Sequence, residues 1–291
     1  MKFSIITPTY NNLIYLKFFL RSLEINSTFD HEIILHINDG SDGTLKYALE
    51  NNIKHTHSKT NIGLCSSMNK AYSLITTDHI LYAHDDMYFY KNWDIFLTDE
   101  INKQDNNLYY LTGTNISTRH GLINYDCGSS IDTFDEKKFS KFCAEDKTNN
   151  LQGSHWAPHL IHRDLWDKIG GFSEEFNPGD GSDPDFCMKL WINNVRVFKG
   201  ISNFKVYHFN SKTTRNSKIT LNNGTKTFLF KYGFSPRFFR KHYLRGNISI
   251  IPYIGTLTNP NKNISFYLDL IKCKIKIFYY KIFNYYCLKV F

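Results

Sequence analysis

The 291-residue sequence has no run of uncharged apolar residues approaching the roughly 18–20 that a membrane-spanning helix needs. Its opening, Met1-Lys2-Phe3-Ser4-Ile5-Ile6-Thr7-Pro8, is broken by proline too soon to form a signal-peptide core. The expectation is a cytoplasmic protein, or one held peripherally at the cytoplasmic face of a membrane. The six cysteines (Cys65, Cys127, Cys143, Cys187, Cys273, Cys287) include no C-x-x-C pair. Neither a zinc-thiolate site nor a disulfide framework is expected, and the thiols read as reduced. Acidic residues are nearly absent from residues 212–291, which hold 15 Lys+Arg against Asp269 alone, a net +14. Residues 1–211 carry 20 Lys+Arg against 26 Asp+Glu, a net −6. The formal +8 therefore conceals a mildly acidic body with a strongly basic end. With 42% hydrophobic and 21% charged residues, disordered and collagen-like classes are excluded.

The first ninety residues alternate between two periodicities. Strands are expected at Phe3–Thr7, Glu32–Ile37, Ile53–His57 and His79–Ala83, and helices at Leu13–Ile25, Thr44–Asn51 and Leu64–Ile75. Such alternation predicts an α/β fold with a mostly parallel, doubly wound sheet. Ligands of such sheets bind beyond the carboxyl ends of the strands. Here those ends are Thr7–Asn11, Asn38–Asp42, Ser58–Gly63 and His84–Asp86, all rich in Asp, Asn, Ser, Gly and His. Beyond residue 90, a strand is expected at Leu108–Thr114 and a long irregular segment over Asn115–Asn150. A helix follows at Asp164–Ile169, capped by Asp164 and ended by Gly170-Gly171. Another runs Pro184–Asn193 with Asp183 as N-cap, then short strands at Val195–Phe198 and Phe204–Phe209.

Four constellations can carry chemistry, of which Asn38-Asp39-Gly40-Ser41, at a strand end, can accept from a base N–H and leave room for a nucleotide or is a simple turn. Asp85-Asp86 places adjacent carboxylates after a buried strand, where their repulsion favours a divalent cation with oxygen ligands. The plain alternative is an exposed turn. In Gly179-Asp180-Gly181-Ser182-Asp183-Pro184-Asp185, acids crowd a helix start, where one serves as a cap or as a directed general base. His208, at a strand end, is either a packed histidine or a ligand.

In order and spacing, these segments resemble a family 2 glycosyltransferase with the GT-A fold. The residues that carry the resemblance are Ile5-Ile6-Thr7-Pro8-Thr9-Tyr10-Asn11, Asn38-Asp39-Gly40-Ser41-Asp42-Gly43-Thr44, Asn61-Ile62-Gly63-Leu64-Cys65-Ser66-Ser67-Met68-Asn69, Leu81-Tyr82-Ala83-His84-Asp85-Asp86 and Arg163–Phe172. The resemblance implies a glycosyltransferase domain over 1–211, with a nucleotide-binding half (1–90) and an acceptor half (91–211), followed by a basic extension (212–291). It implies inverting, hexosyltransferase-type transfer from a nucleotide-sugar, first of all a UDP-sugar, to a glycan or glycolipid hydroxyl, as in polysaccharide biosynthesis. Implied donor contacts are Thr7, Pro8, Tyr10, Asn11, Asp39, Gly40, Asn61, Gly63, Asn69 and Asp85. Implied ligands of Mn2+ or Mg2+ are Asp85, Asp86 and His208. Asp183, or else Asp185, is the implied base, and Trp156 with His155 is expected to face the acceptor. Four positions depart from the family pattern: Ala83 for the first Asp of D-x-D, Asn38 for Asp, Met68 for Arg, and Ser182 for Glu. A rival reading is therefore a catalytically inactive nucleotide-sugar or glycan-binding protein of the same fold.

The basic extension mixes aromatics with lysine and arginine, a composition suited to an anionic membrane surface. Lys272 and Lys274 lie about 200° apart on a helix, and alternation with Cys273, Ile275 and Ile277 fits a strand nearly as well. Packing on the body is the alternative. Interleaved aromatic and basic residues can bind nucleic acid, but nothing resembles a known module, so no nucleic-acid partner is expected.

Overall fold

The computed structural model describes residues 1–210, 222–246 and 251–287, with side chains to 282. The expected boundary at Ser211 and the basic residues of 212–221 lie outside the described residues, as do 247–250 and 288–291 with Lys289. The first elements are β1 (Ser4–Tyr10), α1 (Leu13–Asn26), β2 (Glu32–Asn38), α2 (Thr44–Glu50), β3 (Lys54–Ser58), α3 (Leu64–Tyr72), β4 (His79–Tyr82), β5 (Met87–Phe89) and α4 (Trp93–Ile101). Then come β6 (Tyr109–Ser117), β7 (Ile123–Asn124), α5 (Glu136–Glu145), β8 (Leu151–Gln152), β9 (His159–His162), α6 (Arg163–Ile169), α7 (Ser182–Ile192) and β10 (Val197–His208).

One sheet of ten strands organises the chain, with the main path β3-β2-β1-β4-β9-β6-β10-β5. β3, β2, β1 and β4 are parallel, as expected. β1 and β2 are covered on both faces, so Ile5-Ile6 and Ile33-Ile34-Leu35 read as continuous apolar runs. The second half departs from the expectation. β9 is inserted antiparallel between β4 and β6, and β5 pairs antiparallel with β10. β10 is one strand of 12 residues rather than two, with its ladder irregularity between Ile201 and Lys205 where the apolar pattern breaks.

Two loops at the carboxyl edge are locked to each other. Asn11 Nδ2 donates to Asp39 Oδ2 (2.9 Å), and Gly40 N donates to Asn11 Oδ1 (2.9 Å). Gly40 has φ of 80°, and a Cβ there would meet Ile37 Cγ2 and Leu45 Cβ at 2.9 Å, so the turn demands glycine. Asp42 anchors two helix starts, accepting from Leu13 N (2.8 Å) and from Thr44 N (3.0 Å).

Helix boundaries shift for local reasons. His162 Nδ1, not Asp164, accepts at the start of α6 (Asp164 N, 3.2 Å), while Gly170 at φ 69° ends that helix as expected. α7 begins at Ser182 with Gly181 (φ 82°) as N-cap, so Asp183 sits inside the first turn rather than capping it. The segment expected to be irregular contains α5, which buries only Phe139 and Cys143. With Tyr88, Cys127, Tyr207 and Phe209 these form a second, largely aromatic core.

The C-terminal residues build α8 (Gly224–Tyr232), α9 (Pro236–Phe239), a π-helical turn (Arg240–Leu244) and α10 (Ile264–Cys287), so the helix-or-strand ambiguity resolves to helix. Phe228, Leu229, Phe238, Phe239 and Leu244 are buried in the same core as Ile5, Leu81 and Phe186. The junction is tight: Gly224 N donates to Asp180 Oδ2 (2.8 Å), and a Cβ on Gly224 would lie 1.8 Å from Asp180 O. Phe239→Ala is expected to cost about 3–5 kcal/mol of unfolding free energy, read by urea denaturation of the full chain. Wild-type stability in that variant would mean that this segment adds nothing to the common core.

Candidate active site

The carboxyl edge of the sheet opens into a cavity of about 630 Å³. Its walls come from the β1 end (Pro8, Thr9, Tyr10), Asn38 of β2, Asn61, Gly63 and Leu64 before and at the start of α3, and His84-Asp85-Asp86 after β4. The far side is the loop Pro178–Asp183, with His208 and Asn210 from the β10 end and Asn222 from the C-terminal segment. Four carboxylates line it (Asp85, Asp86, Asp180, Asp183), and no lysine or arginine does so among the described residues.

Strand pairing explains how His208 meets Asp86. β5 runs antiparallel to the end of β10 with His208 opposite Met87, and Phe209 N donates to Asp86 O (3.1 Å). Side chains alternate along a strand. Tyr207 and Phe209 are buried in the aromatic core, which turns His208 toward the cavity. His208 Nε2 lies 3.1 Å from Asp86 Oδ1 and 3.2 Å from His84 Nδ1, with His84 Nδ1 4.0 Å from Asp86 Oδ1. These three residues form a group able to hold a metal ion. Burial and the neighbouring His208 lower His84 to about 4, against the pull of Asp86, so it is a neutral ligand at neutral pH. The donor set thus fits a divalent cation.

Asn115 stands behind His208, its Nδ2 3.1 Å from His208 Nδ1, while its buried Oδ1 has no hydrogen-bond partner among the described residues. With the amide turned over, Oδ1 accepts from Nδ1–H and leaves Nε2 free to coordinate.

Asp85 lines the cavity but lies outside this ligand group. Burial and the adjacent Asp86 raise its pKa, while the side chains of Thr9 and Asn12 oppose the shift. Asp183 also lines the cavity; burial raises it to about 7, and its Oδ1 has no hydrogen-bond partner among the described residues. Asp185, one helical step further, is turned away. Lys231 Nζ (2.8 Å) and Tyr232 Oη (2.7 Å) of α8 hold its Oδ1.

Of the expected donor contacts, Pro8, Tyr10, Asn61, Gly63 and Asp85 line the cavity. Thr7, Asn11, Asp39, Gly40 and Asn69 do not. Thr7 is buried within β1. Asn11, Asp39 and Gly40 are bound to one another beside Asn38, and hydrogen bonds from Asn11 and Ser41 lower the Asp39 pKa. Asn69 joins α3 to Phe172, donating to its O and accepting from its N, both at 2.9 Å. The expected acceptor residues are likewise not brought to the cavity. Trp156 Nε1 donates to Gly113 O (3.1 Å), and His155 Nδ1 lies 3.0 Å from Gly153 O. Two departures from the family pattern acquire physical reasons. Asn38 donates to Thr9 O (3.3 Å) and accepts from Ile62 N (2.9 Å), a pair of bonds that an ionised Asp cannot make. Met68 is fully buried and contributes nothing to the cavity. The sequence assigns no individual role to His84, Asn115, Asp180 or Asn222; His84 and Asp180 carry a signal, one adjoining the acid pair and the other within the acidic helix start.

A model of the family "Glycosyl transferase family 2" matches residues 4–170. No curated protein matches the chain. Among solved structures, S. aureus TarS 1–349 in complex with UDP-GlcNAc has a TM-score of 0.56 at 18% identity, over 79% of this chain and 65% of that one. GalNAc-T7 with UDP, GalNAc and Mn2+ gives 0.56 at 14%, over 82% and 46%. The mannosyltransferase PcManGT from Pyrobaculum calidifontis, with GDP-Man and Mn2+, gives 0.50 at 13%, over 72% and 57%. The chain spans less than two thirds of each of these three, and at such identities the likeness is one of fold, GT-A. With the family model matching more than half of its length, the chain belongs to glycosyl transferase family 2.

Proposed function

We propose that the chain is a metal-dependent, inverting glycosyltransferase that moves a sugar from a nucleotide-sugar, first of all a UDP-sugar, to a hydroxyl of a glycan or glycolipid. The observation that carries this reading is the charge of the cavity. A donor diphosphate entering it meets four carboxylates and no lysine or arginine among the described residues. His84, Asp86 and His208 would hold a divalent cation, whose chemistry there would be to supply the missing positive charge beside the diphosphate. That the TarS structure holds UDP-GlcNAc and the GalNAc-T7 structure UDP with Mn2+ supports the same assignment. His84 also weakens the case for an inactive protein, because its imidazole adjoins the carboxylate missing at Ala83.

In the proposed step the acceptor oxygen attacks the anomeric carbon from the face opposite the diphosphate. The bond from that carbon to the phosphate oxygen breaks, and the nucleoside diphosphate leaves with the electron pair. Asp183 takes the proton of the hydroxyl. Its pKa near neutrality and its unpartnered oxygen suit a general base. Asp185, tied to Lys231 and Tyr232, instead anchors α8.

Four outcomes follow, and all but metal binding are read by hydrolysis of a panel of nucleotide-sugars without acceptor. One donor is expected to be turned over slowly, with turnover lost in EDTA and restored by Mn2+ better than by Mg2+, because two imidazoles favour the softer ion. His84→Ala and His208→Ala are each expected to weaken Mn2+ binding about 10- to 100-fold by calorimetry; an unchanged His84→Ala would remove His84 from the ligand set. Asp183 is active when ionised, so turnover should fall as pH drops below about 7. Asp183→Asn is expected to lower turnover about 10²- to 10⁴-fold while retaining nucleotide binding; wild-type rates would exclude it as the base.

A further inference from the structure

The last described helix, α10, has two apolar faces. The inner face places Phe266, Leu270, Cys273, Ile277 and Tyr280 against the body. The outer face carries Ile264, Tyr267, Leu268, Ile271, Ile275 and Phe278, each more than half exposed. At about 100° per residue these six fall within an arc of about 100°. The stripe is continuous, unlike the scattered apolar side chains that any surface carries.

The charges around the stripe select its partner. At the same helical pitch, Lys272 and Lys276 fall along one edge and Lys274 and Lys281 along the other, and all four are exposed. Lysines on both borders of an apolar stripe can lower their stems along it and lift their ammonium groups to anionic head groups. Of these four lysines, only Lys272 meets a carboxylate among the described residues. Asp269, the single acid of residues 212–291, is already bound by Lys241 (2.6 Å), His242 (3.1 Å) and Lys272 (3.1 Å). No described helix is long and apolar enough to cross a membrane, so a helix of this kind lies along the surface.

We propose that the outer face of α10 docks on an anionic phospholipid surface. The assignment stands apart from the catalytic reading but bears on it. α10 packs on α8, with the rings of Phe230 and Tyr280 6.3 Å apart and Lys226 over Tyr280 at 5.2 Å. The residues that open α8 hold the Asp180 loop of the cavity. Docking through α10 therefore fixes the cavity relative to the lipid plane.

Co-sedimentation of the full chain with phosphatidylcholine vesicles, with and without phosphatidylglycerol, tests this at low and high salt. Binding is expected only with the anionic lipid, and weaker at high salt. Ile271→Ser/Ile275→Ser/Phe278→Ser and, separately, Lys272→Glu/Lys274→Glu/Lys276→Glu/Lys281→Glu should each weaken it at least about tenfold. An unchanged thermal midpoint in each variant shows that the body remains folded. Failure of the folded wild type to bind anionic vesicles, or binding unaffected by both variants, overturns the proposal. So does a dimer in light scattering that the serine variant dissociates while vesicles remain unbound, which assigns the stripe to a second copy of the chain.

Discussion

Met87 and His208 face each other across an antiparallel strand pair, and the chemistry of the cavity depends on that register. Asp86 follows β4 and His208 ends β10, more than a hundred residues later, so no local structure joins them. The aromatic core beneath β10 does. Tyr207 Oη donates to Gly128 O (2.7 Å) and accepts from Cys127 N (3.1 Å), and Phe209 packs against Tyr15, Phe18 and Phe134. A slip of one residue would send Tyr207 or Phe209 into the cavity and His208 into that core. The apolar packing of one face thus fixes His208 on the other.

The same packing creates an electrostatic problem. Closing the loop Pro178–Asp183 over the strand ends gathers carboxylates where burial already penalises charge, which is why Asp85 and Asp183 are both shifted upward. The molecule resolves the crowding on one side only. Asp185 is neutralised by Lys231, and Asp180 is satisfied by Gly224 N, both from the C-terminal segment. Among the described residues, no lysine or arginine lines the cavity beside Asp85 and Asp183. A dication near Asp85 and Asp86 would lower the cost of ionising them, and in the proposed function donor and metal would each favour the other's binding.

The parallel half was legible because its strands are sheathed on both faces and its helices follow at short spacing. Phe3–Thr7, Glu32–Ile37 and Leu13–Ile25 each lie within a few residues of the observed elements. The cavity position follows from topology, and Asp86, His208 and Asp183 of the expected site line that cavity. The other features were hidden for definite reasons. α5 shows too few apolar residues for its period to stand out, and β9 pairs through a contact set by distant strands. His84 escaped notice because a histidine beside two acids reads as part of their turn until a third ligand arrives from β10. Asn69 carries the family spacing, yet its amide is spent on Phe172.

The C-terminal segment shows how a pattern can mislead by being complete. A helix with one apolar face has a clear period, whereas α10 is apolar inward and outward, with lysines confined to the two borders between. Read linearly, Lys272 and Lys274 fall on opposite sides and suggest a strand. In the helix they are the two edges of a single exposed stripe, and their separation follows from the geometry. The buried face explains why residues 222–246 and α10 share the main core rather than trailing from it. Once the inner face is consumed by packing, the outer face is left with exposed apolar side chains bordered by lysines, of which only Lys272 meets a carboxylate among the described residues.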